Sequence, residues 1–128
     1  MRAVDTNIVV RYLTGDDPGQ IARVRGAIDA GYVYVSNTVL LETEWVLRRA
    51  YGYGPDEIVR GLRYLAGHPR IRVENAHLLA EALEHAERGM DFADALHLGA
   101  AAQCEAMLTF DRHFIRMAAG TTVRVEEP

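Results

Sequence analysis

The sequence predicts an α/β fold: a three-layer α/β/α domain with a mostly parallel central sheet of about four to five strands. Three observations predict it. Short apolar runs rich in β-branched residues alternate along the chain with longer segments of helical period. Prolines fall near the starts of the helical segments and glycines just past their ends. The chain has 128 residues, 49% of them hydrophobic, enough for one real core, so residues 1–128 read as a single domain.

The elements follow in order. Ala3-Val4 is a short first strand ending at Asp5, and Thr6 can cap a helix through Ile8, Val9 and Val10 to Leu13. After the turn at 15–17, Pro18 opens a helix with Ile21, Val24 and Ile28 on one face, closed by Gly31. Tyr32–Val35 alternates as a strand, and Ser36-Asn37-Thr38 offers a cap for a helix running to about Tyr51. Pro55 opens a helix through Ile58, Leu62 and Leu65, and Ile71–Val73 is a short strand. Ala76–Arg88 reads as a helix closed by Gly89, and Asp91 starts another over Ala95–Gln103, with Gly99–Ala102 packed closely against the sheet. Ala106–Phe110 reads as a buried strand ending at Asp111. A short helix around Phe114–Met117 and a strand Thr122–Val125 complete the pattern. Strands alternating with helices imply crossover connections and helices on both faces of the sheet.

Composition excludes several classes. No apolar run approaches the roughly 20 residues of a membrane helix, and the opening MRAVDTNIVV does not read as a signal peptide. A cytoplasmic location is the simplest expectation. Cys104 is the only cysteine, so neither a disulfide framework nor a zinc knuckle is available. Net charge is −4, unlike a protein that coats nucleic acid, yet all 14 basic residues are arginine, the better fork for phosphate. Any nucleic acid is therefore held locally. No GxxxxGK[ST] segment occurs, which argues against nucleoside triphosphate hydrolysis.

In parallel sheets, ligands sit outside the carboxyl ends of the strands, and this rule sorts the acids. Asp5 closes the first strand and Asp111 the Ala106–Phe110 strand. Glu42 lies in the first two turns of the helix after the second strand, and Asp94 in the first turn of its own helix. Each has a plainer reading. Asp5 can start a turn, Asp94 can complete a capping arrangement with Asp91, and Asp111 can cap the helix after it. Glu42 shares a helix face with Val39, Trp45 and Val46, and its plainer reading is an ion pair with Arg48 or Arg49. Glu44 points elsewhere and is expected to be solvated. Taken together, four carboxylates expected at one sheet edge repel one another, and a hard cation relieves that repulsion. A carboxylate set without cysteine or convergent histidine suits Mg²⁺ or Mn²⁺ better than zinc, and such sites serve phosphate chemistry.

Four segments carry a resemblance. Val4-Asp5-Thr6-Asn7-Ile8-Val9-Val10-Arg11-Tyr12-Leu13 with Asp16-Asp17-Pro18 resembles the opening of PIN-domain toxins of the VapC type. Leu40-Leu41-Glu42 before Trp45-Val46-Leu47, Asp91-Phe92-Ala93-Asp94-Ala95-Leu96-His97, and Leu108-Thr109-Phe110-Asp111 with Phe114 resemble the three later motifs, in family order and across nearly the whole chain. The resemblance implies a PIN fold and an endoribonuclease in which Asp5, Glu42, Asp94 and Asp111 bind Mg²⁺ or Mn²⁺, with Thr6, Asn7 and Thr109 helping to hold the acids or the metal's waters. It implies RNA as substrate, an antitoxin protein that blocks the site, and commonly a homodimer.

Other readings stay open. A PIN-like module that only binds RNA or protein is one alternative, against which the intact acids argue. A receiver-type phosphoacceptor is another, and the absence of lysine argues against that. His97 lies on the Asp94 face and reads as a polar margin residue. Arg11, Arg112 and His113 are candidates for phosphate. Tyr12 and Trp45 can stack bases but read first as core or dimer contacts. The RNA target is not legible.

Overall fold

In the computed structural model, which describes residues 1–128, five short strands alternate with seven helices: β1 (Arg2–Ala3), α1 (Thr6–Thr14), α2 (Pro18–Ala30), β2 (Val33–Val35), α3 (Asn37–Arg49), α4 (Pro55–Gly67), β3 (Ile71–Val73), α5 (Ala76–Glu87), α6 (Phe92–Ala100), β4 (Ala106–Leu108), α7 (Arg112–Met117) and β5 (Arg124–Glu126). The chain forms two compact units, Met1–Ala76 and His77–Pro128. Every strand pairing is parallel, as the alternation predicts. The strands divide into a three-stranded sheet in the order β1-β2-β3 and a two-stranded sheet of β4 and β5.

In the first unit, Arg2 and Ala3 lie opposite Val33 and Tyr34, and Val33–Val35 lie opposite Ile71–Val73. Helices α2 and α4 bury the stripes their periodicity marks, and α3 buries the face opposite Glu42. Ile21, Val24 and Ile28 of α2, Leu40 and Leu47 of α3, and Ile58, Leu62 and Leu65 of α4 are all buried, with Val33, Val35 and Ile71 from the sheet. Each fully buried leucine contributes about 2 kcal/mol of transfer free energy. Gly15 closes α1 in the left-handed conformation, φ 63°, and gives its N–H to the carbonyl of Arg11, which only glycine does without strain.

Several element expectations are corrected. Asp5, not Thr6, is the N-cap of α1, with extended backbone and its carboxylate accepting from the Ile8 amide at 3.1 Å. Helix α6 stops at Ala100 rather than Gln103. Its Gly99 approaches α5: a Cβ there would lie 3.2 Å from Leu78 Cγ, so the close approach is to a helix and not to the sheet. The Ala106–Phe110 segment is neither so long nor so buried as its apolar run suggests. β4 covers only Ala106–Leu108, and Leu108 and Phe110 are 57% and 79% exposed. Its hydrogen-bonded partner is β5 alone. β5 lies at 124–126, two residues beyond the expected start, because its register sets Ala106 against Arg124.

Candidate functional site

In the first unit, the acids are organised by helix starts. The N-terminal turn of α1 uses one oxygen of Asp5 as its cap, and the Val9 amide bonds back to the Asp5 carbonyl. Because Asp5 does the capping, the buried hydroxyl of Thr6 is free to point across to α3, where it donates to Oε1 of Glu42. Thr6 thus joins residues 36 positions apart. Glu42 itself is exposed. Asp5 and Asn7 border a cavity of about 690 Å³ that also meets Arg2, Arg11 and Arg23.

The plainer reading of Glu42, an ion pair with Arg48, fails. Arg48 Nε is 2.9 Å from Glu44 Oε1, four residues back. Glu44, expected to be solvated, is instead buried to 7% exposure. The i,i+4 spacing was the available signal: Arg48 stands four residues from Glu44 and six from Glu42. The pairing lets a carboxylate sit inside the helix interface with its charge compensated.

In the second unit, Asp91 caps α6 by accepting from the Asp94 amide at 3.1 Å, the role read for it from sequence. Asp111 caps α7, taking the amides of His113 and Phe114 at 2.9 and 3.1 Å. Thr109 Oγ1 accepts from the Asp111 amide at 3.0 Å and so fixes that turn. Asp94 is half-buried and lines a cavity of about 490 Å³ with His97, Thr109 and Phe114. Burial raises its pKa above the usual carboxylate range. The nearby charges of Asp91 and then Asp111 raise it further, while His97 and His113 pull it down. His113 Nε2 lies 3.4 Å from the Gly89 carbonyl.

Thus the structure links Thr6, the residue after Asp5, to Glu42 in one unit, and sets Asp94 within electrostatic reach of Asp91 and Asp111 in the other. Neither unit by itself gathers three histidine, cysteine or acidic side chains at metal-holding distance. The donors that are present are oxygens, the chemistry of a hard divalent cation. A cation beside Asp94 would relieve the repulsion that raises its pKa.

Two phosphate candidates are otherwise engaged. Arg11 is held by Gln20 at 2.7 Å, by Asp16 at 3.1 Å and by the Tyr51 hydroxyl at 3.0 Å, a network that fastens the α1–α2 turn. Its partner Tyr51 is 40 residues away, so no local signal shows it. Arg112 sits 3.5 Å from Glu127. Tyr12 stacks on Tyr64 with ring centroids 6.0 Å apart and meets His68 edge-on. Trp45 is not a core residue: it is 54% exposed.

The PIN domain family model matches residues 2–120. The chain belongs to the PIN domain family. No curated protein matches this PIN domain. Among solved structures, it is similar to the crystal structure of VapC20 from Mycobacterium tuberculosis, described as a toxin that cleaves the sarcin–ricin loop. Identity is 25%, the likeness covers 97% of this chain and 99% of that one, and the TM-score is 0.45. No helix of the PIN domain is long and apolar enough to cross a membrane.

Proposed function

We propose that this PIN domain, acting as one domain over residues 1–128, is a Mg²⁺- or Mn²⁺-dependent endoribonuclease and the toxin of a toxin–antitoxin pair. Asp5, Glu42, Asp94 and Asp111 are its metal-holding acids. The observation that carries the reading is the family match together with the acids themselves: all four motif positions are occupied by carboxylates, each early in a helix or capping one. A divalent cation supplies there a water acidic enough to attack a phosphodiester and positive charge for the departing oxygen. Thr6 keeps Glu42 turned toward the start of α1, and Thr109 sets the turn from which the Asp111 carboxylate projects. RNA is the substrate. The corresponding setting is a cytoplasmic homodimer held in check by a cognate antitoxin.

Product-end analysis tests the chemistry. Incubation of total RNA with the protein and Mg²⁺ or Mn²⁺ is expected to leave 5′-phosphate and 3′-hydroxyl ends, and EDTA is expected to stop it. The competing route uses His97 and His113 as acid and base and leaves 2′,3′-cyclic phosphate. Cyclic ends formed in EDTA would overturn the metal assignment. In cells, induction of the wild-type chain is expected to arrest growth, and Asp5→Asn at matched levels to relieve the arrest.

A further inference from the structure

Helix α3 buries Leu40, Thr43, Glu44 and Leu47. Its opposite line, Thr38, Glu42, Trp45 and Arg49, is exposed throughout. The spacings of four, three and four residues place these side chains in one row on the helix surface. Trp45 is the only tryptophan in the chain, and it is 54% open. Arg48 beside the row is tied to Glu44, whereas Arg49 has no ion pair and stands in the last turn of the helix.

We propose that Trp45 and Arg49 form a contact for a single RNA strand, the indole stacking on a base and the guanidinium meeting a phosphate. The proposal rests on the nuclease reading of Glu42, one turn before Trp45 in the same row. The helix rise places Trp45 about 4.5 Å and Arg49 about 10.5 Å along the axis from Glu42, so a strand engaged at Glu42 passes over both in turn. An aromatic face beside a free arginine is the combination that single strands use: every base has a face to stack, and every linkage carries a negative charge to pair. The neighbours in the row are Thr38, Glu42 and Arg49. The occupant is read as the strand because the row continues from Glu42, the acid that the nuclease reading gives to the metal, and because the residue one turn beyond Trp45 is an arginine with no ion pair.

Because the chain has one tryptophan, its fluorescence reports this contact directly. In Asp5→Asn protein with EDTA present, a mixed-sequence single-stranded RNA of about 12 nucleotides is expected to quench Trp45 to saturation. With labelled RNA followed by anisotropy, Trp45→Ala should weaken binding about tenfold, and Trp45→Phe should recover most of the loss. Arg49→Ala should lower the slope of log affinity against log salt by about 0.7. Three results would overturn the proposal: RNA that binds without altering Trp45 fluorescence, absence of RNA binding by either measurement, or a fluorescence change that follows protein concentration with Trp45→Ala sedimenting as monomer, which assigns the indole to a second copy. The two readings separate cleanly. Quenching without metal-dependent cleavage by the wild-type chain removes the nuclease and keeps the strand contact. Cleavage with KM unchanged in Trp45→Ala removes the contact and keeps the nuclease.

Discussion

The two units treat their acids differently. In Met1–Ala76, the two candidate acids accept from neutral donors: Asp5 from the Ile8 amide and Glu42 from the Thr6 hydroxyl. In His77–Pro128, Asp94 is half-buried and faces the charges of Asp91 and Asp111, which, after burial itself, raise its pKa. The caps Asp5, Asp91 and Asp111 and the Thr6-bonded Glu42 are organised by hydrogen bonds, and Asp94 alone is held where its charge is disfavoured. Metal binding would therefore act on stability mostly at Asp94, where burial and then the charges of Asp91 and Asp111 disfavour the ionised carboxylate.

Thermal stability separates the two units most. Ligand binding to the folded state alone stabilises it by about 2.7 kcal/mol at a hundredfold excess over Kd. Melting curves with and without Mg²⁺ or Mn²⁺ are expected to show that gain in the wild type and its loss in Asp94→Asn. Without metal, Asp94→Asn should melt higher than wild type, because one repelling charge is gone. Asp5→Asn should melt within a degree or so of it, since asparagine caps a helix almost as well as aspartate. An equal metal-free rise from both substitutions would break the comparison.

A smaller effect probes the hydrogen-bonded side. Thr6→Val removes the donor to Glu42 while keeping the shape, and should cost about 1 kcal/mol in denaturant unfolding, because the carboxylate regains water at its exposed face. Asp91→Ala should cost a similar amount, about 1 kcal/mol, through the lost cap of α6. It should also lower the Asp94 pKa by removing its strongest charged neighbour.

The smallest effect is in pH. The raised pKa of Asp94 means that the folded state holds a proton which the unfolded chain has already released. Metal-free stability should therefore fall as pH rises from the ordinary aspartate value through the folded value. Saturating Mg²⁺ should flatten that decline, and Asp94→Asn should abolish it. Thermal melts across this window decide it, and a stability that rises there in Asp94→Asn but not in wild type agrees with the assignment.

Much of this was legible in the chain. Helices α2 and α4 bury the residues whose period marked them, and β3 falls at Ile71–Val73 as read; α3 buries Leu40, Thr43, Glu44 and Leu47, not the face of Val39, Trp45 and Val46. Asp91 and Asp111 are caps, as their plainer readings held. What escaped lay in choices between neighbours or across long separations. Asp5 and Thr6 are both good caps, and only the packing of α1 on α3 decides which is used. The Arg11–Tyr51 bond spans 40 residues and leaves no local trace. The apolar run before Asp111 suggests burial, but a run cannot tell how many strands will flank it, and β4 pairs with β5 alone. Glu44 reads as solvated only while Arg48 is offered to Glu42, six residues away; helical spacing gives Arg48 to Glu44, four residues away.

The double duty of Asp5 bears on how such a protein can change by descent. One carboxylate oxygen starts α1, while the negative charge is what the proposed chemistry needs. A single-base change from an aspartate to an asparagine codon keeps the first and discards the second. The same holds at Asp111, which starts α7 in the same way. The shortest mutational step away from activity is therefore one that the fold scarcely registers. Lineages that fall silent at these positions stay folded and remain available for selection as binding modules.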